Sequence, residues 1–173
     1  MKYLVRLAVL LALFVGGPAF ADIGPANRYV PDASLVGKGR LKVLTFKIFD
    51  AELYAPGGRW SSSKPFALKL KYLRRFSGNS IAKRSVEEMR RQGFRNKAKL
   101  DRWYKRMDAI FPNVRPDMSI VGVRDANGHA VFYSGSRRLG AIADREFSRR
   151  FFNIWLGGNT RSPSLRNRLV GRG

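Results

Sequence analysis

The chain has no cysteine and a single histidine, His129, among 173 residues. Without thiols it cannot form a disulfide, a thiolate metal site or a cysteine nucleophile, so its stability rests on packing. Acidic residues are also scarce, 12 Asp and Glu against 34 Lys and Arg. With one histidine a zinc site would depend on those carboxylates, and none are grouped at ligand spacing. Neither a metal nor a cofactor is expected. No G-x-S-x-G elbow occurs, and Ser61, Ser62 and Ser63 read as a polar loop, so a hydrolytic triad has no basis. Gly37-Lys38-Gly39-Arg40 lacks the third glycine and the Lys-Ser pair of a phosphate loop. Glu87 and Glu88 are neighbours on a helical pattern and point apart; they balance arginines and do not form an acid–base pair. His129 stands beside a turn and reads as a surface residue. No catalytic residue is assigned from these patterns.

A long apolar run is missing as well. The one apolar stretch, Leu7 to Val15, falls short of the roughly 20 residues that span a bilayer, and Gly16-Gly17-Pro18 breaks it. It follows Lys2 and Arg6 and precedes Ala19-Phe20-Ala21, the layout of a cleaved secretory signal. Residues 1–21 are expected to be removed after Ala21, giving a periplasmic or secreted protein that begins at Asp22. Nucleotide-driven chemistry is not supplied there.

The net charge is +22. Such a surface attracts polyanions, and outside the cytosol these are anionic lipid, acidic polysaccharide or stray nucleic acid. No nucleic-acid motif accompanies the charge, so no specific nucleic-acid partner is expected. Fourteen Lys and Arg lie between Lys69 and Arg106 against Glu87, Glu88 and Asp101, and Arg161, Arg166, Arg168 and Arg172 follow near the C terminus. A solvated face that favours solubility accounts for the same pattern. With 45% hydrophobic residues the chain can bury a core.

Residues 22–34 lack periodicity and contain Pro25 and Pro31, so they read as an extended lead-in to one domain over residues 35–171. From Leu44 the pattern alternates, with Leu44, Phe46 and Ile48 on one face. The phase slips near Phe49 and Asp50, where a bulge is expected, and continues with Ala51 and Leu53 opposite Glu52 and Tyr54. Pro56-Gly57-Gly58 turns the chain into a second strand carrying Phe66, Leu68, Leu70 and Tyr72. Asn79 or Ser80 is placed to cap a helix running to Gly93 with Ile81, Ser85, Val86 and Met89 inward. Leu100, Trp103, Tyr104, Met107, Ile110 and Phe111 mark a second helix up to Pro112. Met118 to Arg124 and Ala130 to Ser134 form a hairpin through Asn127-Gly128, and a short extended piece follows between Gly135 and Gly140. Asp144 caps a helix bearing Phe147, Phe151, Ile154 and Trp155, and Ser162-Pro163 opens a last short one. This order predicts an α+β fold, helices on a mostly antiparallel sheet with one wet face.

One constellation offers chemistry. Arg40 follows flexible Gly37 and Gly39 at a strand, where its guanidinium could hold a carboxylate or enolate between sheet and helices. An exposed strand-end arginine is the alternative.

Gly37-Lys38-Gly39-Arg40, then Phe46 to Tyr54, Leu68 to Phe76, Ser85 to Met89 and Phe147 to Leu156 together resemble the bacterial chalcone isomerase-like family, over nearly all of residues 35–171. The resemblance implies an open-faced β-sandwich, a curved antiparallel sheet with helices on one face and a ligand cleft between them. Chalcone isomerases use a strand arginine, a threonine and a tyrosine, and fatty-acid-binding relatives keep the arginine for a carboxylate. Matching segments place the arginine at Arg40, the threonine at Phe49 and the tyrosine near Ile81. Phenylalanine and isoleucine donate no hydrogen bond, so ketone polarisation loses its donors. The resemblance therefore implies noncatalytic binding of a small apolar or acyl, fatty-acid-like ligand, with Arg40, Phe49 and Ile81 as its contacts. Two alternatives stay open: an isomerase or lyase using Arg40 with Tyr54 or Tyr72, and an envelope factor docking its basic surface on anionic lipid or polysaccharide.

Overall fold

Six strands pair in chain order into a single antiparallel sheet: β1 (Ala33–Val43), β2 (Phe46–Pro56), β3 (Phe66–Tyr72), β4 (Ser119–Arg124), β5 (Ala130–Ser134) and β6 (Arg137–Ile142). Helices α1 (Gly78–Arg91) and α2 (Lys97–Ile110) enter between β3 and β4, and α3 (Arg145–Leu156) and α4 (Pro163–Leu169) follow β6. The computed structural model describes residues 23–172, so the expected signal segment and its cleavage point lie outside the described residues.

Strand alternation decides which face receives the helices. Phe49, Ala51, Leu53 and Ala55 of β2 and Phe66, Leu68, Leu70 and Tyr72 of β3 are buried in one cluster with Val86, Met89, Trp103, Met107, Phe147 and Phe151 from the helices. Aromatic rings lock the layers together. Phe132 of β5 meets Phe111 at 5.0 Å and Phe151 of α3 at 5.2 Å, both edge to face, contacts worth about 0.5–1.5 kcal/mol each beyond the area they bury. The expected architecture, an open antiparallel sheet with helices on one face, is what forms.

Several local expectations hold. The phase slip in β2 is a register shift: Leu41 pairs with Phe49 and Lys42 with Lys47, leaving Ile48 as the extra residue. Asp144 caps α3 by accepting from the Glu146 and Phe147 amides, and its other carboxylate oxygen accepts from the Trp103 indole at 2.9 Å. Gly128 takes φ +78 in the β4–β5 turn.

Other features differ from expectation. Residues Gly24–Tyr29 coil into a 3-10 turn, so the lead-in is not extended throughout. Ile23, Ala26 and Val30 pack on Tyr54, Ala67, Val121, Val123, Val131 and Tyr133, covering the back of the sheet there. The reason is compositional: β4 and β5 are apolar on both faces and need cover on both. The back stays polar toward β1–β3, with Arg40, Asp50, Glu52 and Lys71. The first strand begins at Ala33, well before Leu44. Leu44 itself lies in the two-residue β1–β2 turn with φ +54, a region leucine enters at a cost of about 1–2 kcal/mol. Ser77, not Asn79 or Ser80, caps α1 by accepting from the Ser80 amide. Asn79 instead reaches across to Asp108 of α2 at 2.9 Å.

Two contacts tie the ends of the fold together. A methyl group added at Gly37 would collide with the Arg168 carbonyl, and one at Gly39 would come 2.8 Å from Leu165 Cδ1, so these glycines let α4 lie directly on β1. Glu88 of α1, 5% exposed, accepts from Arg91 at 2.8 Å and from Arg161 in the loop before α4. Burial opposes its ionisation, but the two arginine hydrogen bonds outweigh that and hold its pKa below the ordinary glutamate value.

Gly37→Ala is expected to destabilise the fold by about 2 kcal/mol through overpacking against α4, read as a lower urea midpoint with unchanged slope. Glu88→Gln should cost about 2 kcal/mol at neutral pH, the scale of hydrogen bonds to charged groups. Because the native pKa is lowered, this difference is complete above the unfolded-state value. It should close as pH falls through the native value, so unfolding curves of the two proteins measured across acidic pH should converge.

Candidate functional site

Where β3, β4 and β5 meet α1 and α3, the packing leaves an apolar cavity of about 20 Å³, room for one water. Leu70 and Tyr72 come from β3, Ile81 from α1, Phe111 from the end of α2, and Phe151 and Trp155 from α3. Ile81 and Trp155 are half-buried and the rest of the lining is buried, so these two mark the side nearest water. Gly122 of β4 contributes by lacking a side chain: a Cβ there would sit 3.1 Å from the Phe152 ring and 3.3 Å from that of Phe132. No charged side chain lines the cavity.

Tyr72 carries the only hydroxyl in that lining. Burial pushes its phenol pKa far up, with no charge or hydrogen bond acting against it. The proton therefore stays on oxygen at any physiological pH, and the group is a permanent donor facing apolar surroundings.

The three residues expected from the sequence divide between two faces. Ile81 lines the cavity. Phe49 is buried beside it, its ring edge-on to Tyr72 at 6.1 Å. Arg40 is elsewhere. It pairs in register with Asp50 on β2, one residue out of phase with Phe49 and Ala51, so its side chain leaves the sheet on the face away from the helices. There its Nε and Nη2 donate to the two Asp50 carboxylate oxygens at 2.5 and 2.9 Å. The Asp50 hydrogen bonds raise the Arg40 pKa, and the same bonds hold the Asp50 carboxyl below its usual range. The orientation toward the helices expected for Arg40 fails for a reason of parity: its cross-strand partner is a carboxylate on the back face. Tyr54 also lies on that face, and its hydroxyl donates to Glu52 at 2.8 Å. Tyr72 and Arg40 are thus separated by the sheet.

Tyr72, Phe111, Phe151 and Trp155 border the cavity although their spacing alone marks them as core. The one sequence signal for Tyr72 is a hydroxyl on the inward phase of a strand. Among the described residues no group of three or more His, Cys, Asp or Glu could hold a metal ion. No described helix is long and apolar enough to cross a membrane.

Among curated proteins, none matches this sequence. By structure the chain is similar to a fatty-acid binding protein of Arabidopsis thaliana, with a TM-score of 0.61 and 10% identity over 82% of this chain and 88% of that one. At that identity the likeness shows a common fold. The sequence profile of the chalcone isomerase-like family matches residues 32–171, and the chain belongs to that family.

Proposed function

We propose that this protein binds a small apolar or acyl ligand in the seam between sheet and helices, without catalysing a reaction on it, after export from the cytosol. The observation that carries the reading is the cavity wall: aromatic and aliphatic side chains, the Tyr72 hydroxyl and no charge. Apolar walls with one or two placed polar groups are the usual make-up of small-molecule sites. The cavity as it stands admits no acyl chain, so a ligand enters by displacing Ile81 and Trp155, the two half-buried residues of the wall.

Charge sets the ligand's orientation. An ionised carboxylate buried in this seam would have no cation to pair with, which is strongly unfavourable. An acyl ligand is therefore held tail inward, with an ionised head left at the Ile81–Trp155 side in water. A neutral carbonyl or hydroxyl can go deeper and accept from, or donate to, Tyr72. Phe49 supports the site by fixing the Tyr72 ring, and Arg40 braces β1 against β2 through Asp50. The chemistry of an isomerase lacks support from the geometry: Tyr72 lies across the sheet from Arg40, and Tyr54, on the face of Arg40, gives its hydroxyl to Glu52 while Arg40 is held by Asp50. The similarity in fold to a fatty-acid binding protein is in keeping with an acyl ligand. Export rests on the charged start, short apolar stretch and Ala19-Phe20-Ala21 of the sequence.

Titration with a fluorescent long-chain polyene fatty acid, alongside native mass spectrometry of the purified protein, tests the binding. Ile81→Trp, which fills the seam, should weaken binding at least roughly tenfold, while Arg40→Ala should leave it within roughly twofold. Absence of any retained acyl or aromatic ligand, or wild-type binding by Ile81→Trp, would overturn the reading. Loss of ligand in a folded Arg40→Ala protein would return the anchor to that arginine. For export, intact-mass measurement of the protein from the envelope fraction is expected to give an N terminus at Asp22; an intact Met1 would count against cleavage.

A further inference from the structure

The large hydrophobic side chains most open to water among the described residues all belong to one hairpin: Leu35 at 46% exposure, Val43 at 53%, Leu44 at 89% and Phe46 at 51%. Three of them form the tip where β1 turns into β2. Single exposed apolar residues are ordinary, but a contiguous apolar tip marks a contact surface. Its backbone points the same way. Leu44 holds φ +54, a conformation that glycine or asparagine adopts with less strain in a two-residue hairpin turn. The turn thus bears backbone strain while displaying the most exposed of these hydrophobic side chains.

The surroundings of the tip are basic. Lys42 and Lys47 face each other across the strands just behind it. Arg74 lays its guanidinium over the Phe46 ring, 4.5 Å from the centroid, and Arg75 follows. No Asp or Glu occurs from Ala33 to Phe49 or from Leu73 to Val86. The first carboxylate beyond the tip, Asp50, is occupied by Arg40. An apolar wedge inside a cationic collar is complementary to a layer of anionic headgroups above hydrocarbon.

We propose that the β1–β2 hairpin is a membrane-docking element, which inserts Val43, Leu44 and Phe46 into the interface of an anionic bilayer while Lys42, Lys47 and Arg74 engage headgroup phosphates. Binding by so few apolar groups is reversible and depends on both contributions. The surface is separate from the seam cavity, so it stands whether or not an acyl ligand is bound there.

The test uses the chain from Asp22 onward, so that Leu7 to Val15 cannot supply the binding. Sedimentation with vesicles of phosphatidylcholine alone, and of phosphatidylcholine with roughly one-third phosphatidylglycerol, separates lipid charge from apolar insertion. The wild type should bind the anionic vesicles at least roughly tenfold more tightly, and less tightly as salt rises. Leu44→Asn should bind them roughly tenfold more weakly while melting roughly 2–4 °C higher, because the turn is relieved of strain. The opposite signs of these two effects exclude misfolding as the cause of lost binding. Lys42→Glu with Lys47→Glu should abolish the preference for anionic vesicles. Wild-type affinity in Leu44→Asn overturns the proposal, as does indifference to lipid charge. A wild-type dimer in sedimentation equilibrium that Leu44→Asn dissociates would also overturn it, by making the tip a contact between two copies.

Discussion

Side-chain parity along β2 governs the molecule. Phe49, Ala51, Leu53 and Ala55 point to the helices and Asp50, Glu52 and Tyr54 point away. Since a slip of one residue exchanges the two sets, burying four apolar side chains under the helices fixes the register against alternatives that would bury Asp50 and Glu52. Every functional placement follows from that. Through β2 the neighbours are assigned too: Tyr72, opposite Phe49, faces the seam, while Arg40, opposite Asp50, faces water. The Ile48 bulge lets the hairpin beyond it carry a different phase without disturbing the buried part.

Under the proposed function, the seam would be a closed interior and a binding site in the same place. Its rings touch at 5.0–5.3 Å through Phe111, Phe132, Phe151 and Trp155, and little free volume remains. A guest there substitutes its own apolar contacts for those between the rings, so the net gain is smaller than the area of the guest suggests. The wall is also uniform in chemistry. Apart from the Tyr72 hydroxyl and the Trp155 indole, such a wall would select a guest by shape and length more than by functional groups.

Much of this organisation was legible in the residues. Alternation over Phe66 to Tyr72, three- and four-residue spacing from Leu100 to Phe111, the Asp144 cap and the slip near Phe49, which the structure places at Ile48, each report a local rule that the tertiary structure keeps. The first half of the first strand was not legible, because its glycines look like a flexible lead to Arg40, and only the approach of α4 explains Gly37 and Gly39. The 3-10 turn at Gly24–Tyr29 hides behind two prolines, although the doubly apolar β4 and β5 signal that something must cover their backs. The site divides in the same way. Ile81 follows from the inward-facing pattern of its helix, whereas Phe49 follows only from its match to the family's threonine position. The face taken by Arg40 depends on which residue of β2 stands opposite, a cross-strand fact absent from the local pattern. The cavity itself is invisible in sequence, because residues around a small gap look like the rest of the core.

The packing of α4 on β1 also sets a condition on how the fold is reached. Gly39 meets Leu165, and Val36 approaches Gly171, so the earliest strand of the sheet is covered by the last helix of the chain. Such contacts close nearly the longest loop the domain contains, and their entropic cost is met only when most other structure is in place. During synthesis, β1 stays uncovered until α4 arrives. The sheet thus remains incompletely closed until then, and α4 acts as the latch.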